Sequence, residues 1–471
     1  MKNLPIILVL AGLIAGIIFF ALPHYNEYMY QQLLKEADQC FRNSDYENAR
    51  QKYLKSLQLK PGNSEIYERI AHSYSLSRDF NESINYYKKA IKLAPGNAKT
   101  YFNLGRVYEE SGNTEEALQM YRKTLEIEKN HPTARRYLAR IYFEKGKPDE
   151  AIKEMKQAVE LDPDAADQMN YVKLGEYLAK TDKPDEAIPY LEKVLSKDKP
   201  EKRVYPLLIG IYDKKGKKDE ISRIMEKFLS SYSDDIKSYA VTAVYFEGLG
   251  NKSRAEEILK SAKDKFRDNT DSYFMLADFY RRQKDFNKGS EILEQALNLD
   301  PNSAKVYHAL GLNHYEAENY AKAEEELKRA ASIEPDNPDV INLMAWMYLT
   351  APPGNAFNKP DEALKLAKRA HSLAPENPAI TDTLARALLS NGKYEEAAEK
   401  YNENVRRNQT LEMAYYGLAV CYARMGDDKT AARYIEKAVG AKFKDKKVLQ
   451  QDQQVKIIRD NPGLKKILSG S

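Results

Sequence analysis

The sequence predicts an all-α solenoid: about twelve helix–turn–helix repeats behind one N-terminal transmembrane helix. Three observations predict it. An uncharged run from Leu4 to Leu22 reads LPIILVLAGLIAGIIFFAL. From Tyr30 onward the pattern of small and apolar residues recurs every 34 residues. Tyr occurs 34 times against a single Trp, so a periodic rule is placing one residue type. A chain of 471 residues would ordinarily divide into about three globular domains. A repeat array escapes that expectation because each unit is covered by its neighbours.

The first element is the anchor. Residues 1–3 are a short flank carrying Lys2, and residues 4–22 form the membrane helix. At about 1.5 Å of rise per residue, this run matches the hydrocarbon core of a bilayer. A cleaved signal peptide would have an apolar core of roughly 7–15 residues and small residues at its exit. Here the exit is Phe19-Phe20-Ala21-Leu22-Pro23. Lys2 and the terminal amine stand close to one end, whereas Lys35 and Arg42 lie well beyond the other. That asymmetry predicts a cytoplasmic amino terminus and a repeat domain outside the cytoplasm. Gly12 and Gly16 form a G-x-x-x-G face through which two such helices can form a homodimer. Residues 23–29 follow as a linker.

Twelve repeats fill residues 30–445, starting at Tyr30, Ser64, Ala98, Pro132, Gln168, Lys202, Ile236, Thr270, Ala304, Pro338, Pro378 and Glu412. In a copy such as 64–97, apolar residues stand at positions 4, 7, 8 and 11, the stripe of an amphipathic helix. A polar turn follows near position 15. A second helix then carries small or apolar residues at 20, 24 and 27, and Pro often stands at 32. Position 8 is small in every repeat except at Ile209, and position 20 in every repeat except at Ile221. Average composition would fill roughly a fifth of such places with small residues. Where two helices cross, a large side chain would force them apart. Residues 446–471 stay amphipathic but leave the pattern, as a capping helix and tail must, because the end of an array needs a polar outer face.

Tyr67, Tyr101, Tyr205, Tyr239, Tyr273, Tyr307 and Tyr415 stand at position 4. Tyr74, Tyr108, Tyr142, Tyr212, Tyr280, Tyr348 and Tyr422 stand at position 11. With these, the two small columns and the closing Pro, the chain resembles the tetratricopeptide repeat (TPR) family, of the bacterial membrane-anchored type. The resemblance spans about Tyr30 to Asp445. It implies a right-handed superhelix of antiparallel helix pairs, with a concave groove, lined by the first helix of each repeat, that holds other proteins. It further implies a scaffold or adaptor at the bacterial inner membrane, facing the periplasm or exterior, in envelope assembly, export or surface-polymer production. The alternatives are a regulatory subunit docking one membrane enzyme, and a holding chaperone for exported proteins.

The groove lining is expected from positions 2, 5, 9 and 12. Two sets of residues of the types that dominate interfaces fall there. One is Phe102 with Arg106, Arg136 and Arg140, arginines able to pair with carboxylates or phosphates. The other is Phe274, His308, Tyr315 and Trp346, beside a six-residue insertion around Pro352-Pro353-Gly354. The branch of the family that grips chaperone C-termini uses Lys at position 5 and Asn at position 9, and no repeat here holds either. Repeat six places Ile209, Ile221 and Phe228 at positions 8, 20 and 27, while Lys199, Ser233 and Arg267 replace the closing Pro in repeats five to seven. Those repeats are expected to form a softer waist.

The remaining composition excludes more than it adds. The 74 basic and 70 acidic residues interleave, so no basic stripe points to a nucleic-acid partner. Cys40 and Cys421 form no C-x-x-C pair. The six histidines are scattered, and no phosphate-cradling, dinucleotide or nucleophile-elbow motif occurs. No catalytic residue, metal or cofactor is therefore expected, and the chain does not read as an enzyme.

Overall fold

The computed structural model describes residues 22–161, 168–407, 411–444, 448 and 460–462. Among these there are 24 helices and no strand. The run 4–21, with Gly12 and Gly16, and most of the segment 446–471 lie outside the described residues. No described helix is long and apolar enough to cross a membrane.

The helices fall two to a repeat, as in Ser64–Leu76 with Phe80–Leu93 and Ala98–Glu110 with Thr114–Ile127. Residues 23–29, expected as a linker, instead belong to the helix Leu22–Arg42. No glycine or proline follows Pro23 in that stretch, so nothing stops the helix there. The hairpin turn has one recipe. Position 15 adopts the left-handed conformation in eleven repeats, whether it is glycine, as at Gly112 and Gly426 (both φ 83°), or not, as at Arg78 (φ 60°) and Lys284 (φ 61°). The next residue caps the second helix: Asp79 accepts from the Glu82 amide and Asn251 from the Arg254 amide. First helices are capped in the same way by the last residue of the preceding repeat, as Asn97 accepts from the Lys99 amide.

Position 8 is small because the second helix lies directly against it. A Cβ on Gly105, Gly175 or Gly311 would come within 2.7, 2.4 and 2.6 Å of Tyr121, Leu191 and Leu327, each at position 24 of the same repeat. At position 11 Tyr108, Tyr142, Tyr280 and Tyr348 are buried, and the last three bring their hydroxyls to polar partners on the preceding repeat. Tyr280 donates to Glu256 at 2.7 Å, Tyr348 donates to Glu324, and the Tyr142 hydroxyl accepts from Arg122 at 2.9 Å. Burial raises the Tyr280 and Tyr348 phenols well above the usual range.

The chain divides into two compact units, Met1–Tyr232 and Ser233–Ser471. The division falls at the end of repeat six, just before repeat seven begins at Ile236. In the first unit, repeat six carries the large residues read from the sequence: Ile221 is buried, and Ile209 and Phe228 are partly so. Its two helices, Val204–Lys214 and Lys218–Ser231, pack less closely than those of the other hairpins among the described residues. In the second unit, the insertion of repeat ten is a folded loop between Pro338–Thr350 and Pro360–Leu373. The Asn358 amide donates to the Ala351 carbonyl at 2.7 Å, Phe357 stacks on Tyr320 at 6.2 Å, and Lys359 pairs with Glu324 at 2.9 Å. Burial would raise the Glu324 carboxyl, but donors from Lys328, Tyr348 and Lys359 outweigh it and hold it at about 2.

Candidate binding groove

In the second unit the first helices of repeats nine to twelve, Ala304–Glu316, Pro338–Thr350, Pro378–Ser390 and Leu411–Arg424, lie side by side, each touching the next. Their common face bounds a cavity of about 620 Å³. Position 2 contributes Lys305, Asp339, Ala379 and Met413; position 5 contributes His308, Asn342 and Asp382; position 9 contributes Leu312 and Trp346. Volumes of about 300–1,000 Å³ are typical of binding pockets. One helical turn separates these positions, so the solenoid register alone brings them to one face.

His308 and Trp346, read from the sequence as groove residues, both line this cavity. Phe274 lines a smaller one of about 150 Å³ with Ala277, Arg281 and Ala309, and Leu312 borders both. The Lys305 ammonium lies 4.3 Å from the centre of the Phe274 ring and pairs with Asp271 at 2.8 Å. Tyr315 corrects the expectation. It is buried, and its hydroxyl shares a 2.7 Å hydrogen bond with Thr350, inside the packing of repeats nine and ten. Thr350 belongs to the first helix of repeat ten, so here the neighbouring repeat covers position 12.

Sequence reasoning missed Lys305, Asn342, Asp382 and Met413, although all four occupy columns it had assigned to the groove. Selection by residue type, for aromatics and arginines, passed over them. The cavity is apolar at its base, through Leu312, Leu343, Trp346 and Met413, and acidic around it, through Glu334, Asp339, Asp382 and Glu412. Asp382 is buried and accepts from the Asn404 amide. Burial lowers the pKa of His308, with Asp339 opposing. The buried Oδ1 of Asn342 meets no protein donor among the described residues.

The other set lies in the first unit and is more self-compensated. Phe102 packs into a ring cluster with Tyr121, His131 and Tyr137, at centroid separations of 5.7, 5.0 and 5.5 Å. Arg140 lies over the Tyr137 ring at 5.2 Å and pairs with Glu109. Arg106 reaches Glu110 at 3.4 Å, and Arg136 donates to Thr133 on its own helix. Phe102 and Arg140 thus meet on one ring, while two of the three guanidiniums already face carboxylates. His314, at core position 11, is packed, and burial lowers its pKa.

Five family models, each described as tetratricopeptide repeat, match the chain at residues 62–130, 110–170, 170–199, 249–312, 304–337, 356–404 and 383–445. No curated protein matches it. Among solved structures, yeast Tom70 is 18% identical, covering 94% of this chain and all of that one, with a TM-score of 0.43. The Cut9 complex with Hcn1 of the APC/C is 11% identical over 92% of this chain and 91% of that one, with a TM-score of 0.40. MamA from Desulfovibrio magneticus is 18% identical over 35% of this chain and 92% of that one, with a TM-score of 0.32.

Proposed function

We propose, from the premise that this chain belongs to the tetratricopeptide repeat family, that it is a membrane-anchored scaffold that holds partner proteins in the groove of repeats nine to twelve. A protein-interaction role follows from the family, and every family that matches is a repeat family. One observation carries the choice of site: four successive first helices present positions 2, 5 and 9 to a single cavity containing the chain's only tryptophan. Tryptophan is among the residues most enriched at the energetic centres of interfaces. The anchoring rests on the uncharged run 4–22 and on the basic residues that flank it unequally. Assembly, export or surface-polymer production at the cell envelope rests on the resemblance to anchored members of the family.

A photoreactive amino acid at position 346 tests the site, with one at exposed Lys368 on a second helix as control. Illumination of native membranes is expected to yield discrete protein adducts from position 346 and none from position 368. Equal labelling from both positions, or none from 346, refutes the assignment.

A further inference from the structure

We infer that the groove of repeats nine to twelve is built for a cationic segment: a peptide that inserts an apolar side chain beside Trp346 and carries lysine or arginine next to it. The inference rests on the groove reading and adds the chemistry of the occupant. The base offers Leu312, Leu343, Trp346 and Met413, so an aliphatic or aromatic side chain leaves water by entering it. The rim is acidic. Glu334, Asp339 and Glu412 are exposed, and no lysine or arginine among the described residues forms an ion pair with any of them. The one lysine of the lining, Lys305, is engaged by Asp271 at 2.8 Å. The buried Oδ1 of Asn342 adds an acceptor that an N–H group of the occupant can satisfy. An acidic segment would meet three like charges here, whereas a basic one meets three opposite ones and an acceptor.

The lone tryptophan supplies the assay. Trp346 emission, excited selectively over tyrosine, reports occupancy of the cavity in the full-length protein in detergent. The probes are blocked nonapeptides with a central Leu or Phe, flanked in one series by Lys or Arg and in the other by Glu or Asp. The basic series is expected to bind about five-fold or more tighter, as a few partly exposed ion pairs allow. That preference should shrink at high salt, which screens exposed charges, and in Asp339→Asn/Glu412→Gln, whose side chains lie at the exposed rim and not in the packing. If the acidic series binds equally or better, the groove stands and the charge inference falls. If neither series changes Trp346 emission, the groove reading falls and takes this inference with it.

Discussion

Replacing Gly417 by alanine tests how tightly successive hairpins are stacked. Gly417 lies in the helix Leu411–Arg424 of repeat twelve, against the ring of Tyr401 from repeat eleven. A Cβ there would stand 2.1, 2.3 and 2.5 Å from three ring atoms, while ordinary contact begins at 3.4 Å, so ring and helix must part by about 1.3 Å. Tyr401 is 1% exposed and has no space into which to retreat. Overpacking of this kind costs about 1–3 kcal/mol, and the better helix propensity of alanine returns about 1 kcal/mol. A Cβ 2.1 Å from a ring atom is a deep clash, so the cost lies in the upper part of that range, about 2–3 kcal/mol, and the net expectation is a loss of about 1–2 kcal/mol at this joint. Repeat arrays need not unfold in one step, so the fitting assay is native-state hydrogen exchange across residues 411–424. Exchange should quicken about 5–30-fold. In a Tyr401→Leu background, where the ring is gone, the same alanine should be neutral or mildly stabilising. Unchanged exchange in Gly417→Ala, or the same penalty in both backgrounds, would refute the steric account.

Four further outcomes are expected. Burial holds His308, His314 and His371 below their ordinary 6.5, so the unfolded chain takes up protons that the folded chain refuses. Their contribution is full above that value and is lost as pH falls below it, so the urea midpoint should be lower at about pH 5 than at about pH 7.5. Lys359→Met removes one tie of the repeat-ten loop to Glu324, and limited proteolysis should then cut within 352–358 before any other site. Amides of residues 202–231 should exchange faster than those of repeats three and four, because the hairpin of repeat six packs most loosely; equal rates would remove the softer waist. Arg78→Gly or Lys284→Gly, at left-handed turn positions, should raise the midpoint of thermal unfolding by relieving about 0.5–1 kcal/mol of backbone strain.

Most of the architecture was legible because helix packing writes a strict size rule into few columns. Ala37, Ala71 and Ala139 at position 8, or Ala117 and Ala151 at position 20, are fully buried where two helices touch. A 34-residue period exposes that rule without reference to any distance. Gly417 was not legible, because position 6 belongs to no small column and its contact crosses from one repeat to the next. The groove was legible by position and only in part by residue. Positions 2, 5 and 9 are the columns that line the cavity, and of the residues read from the sequence His308 and Trp346 line it. Tyr315 is covered by the next repeat, through Thr350, a contact that the angle around its own helix does not show. Lys305, Asn342 and Asp382 went unchosen because nothing in a polar residue's identity distinguishes a groove-facing side chain from a solvated one. The continuation of the first helix over 23–29 was missed because its polar composition, without the periodic stripe, reads as linker.

The residues that build each hairpin, at positions 8, 15 and 20, are never those that meet the groove at 2, 5 and 9. Selection acting on what the protein grips therefore has a separate alphabet from selection acting on whether it folds. Under the proposed groove, substitutions at Lys305, Asn342 or Met413 are expected to retune recognition while the joints stay shut, and a damaged joint to harm every client alike. A deep substitution scan should accordingly split into two classes: changes that alter one client's occupancy at constant protein abundance, and changes that lower abundance without regard to client.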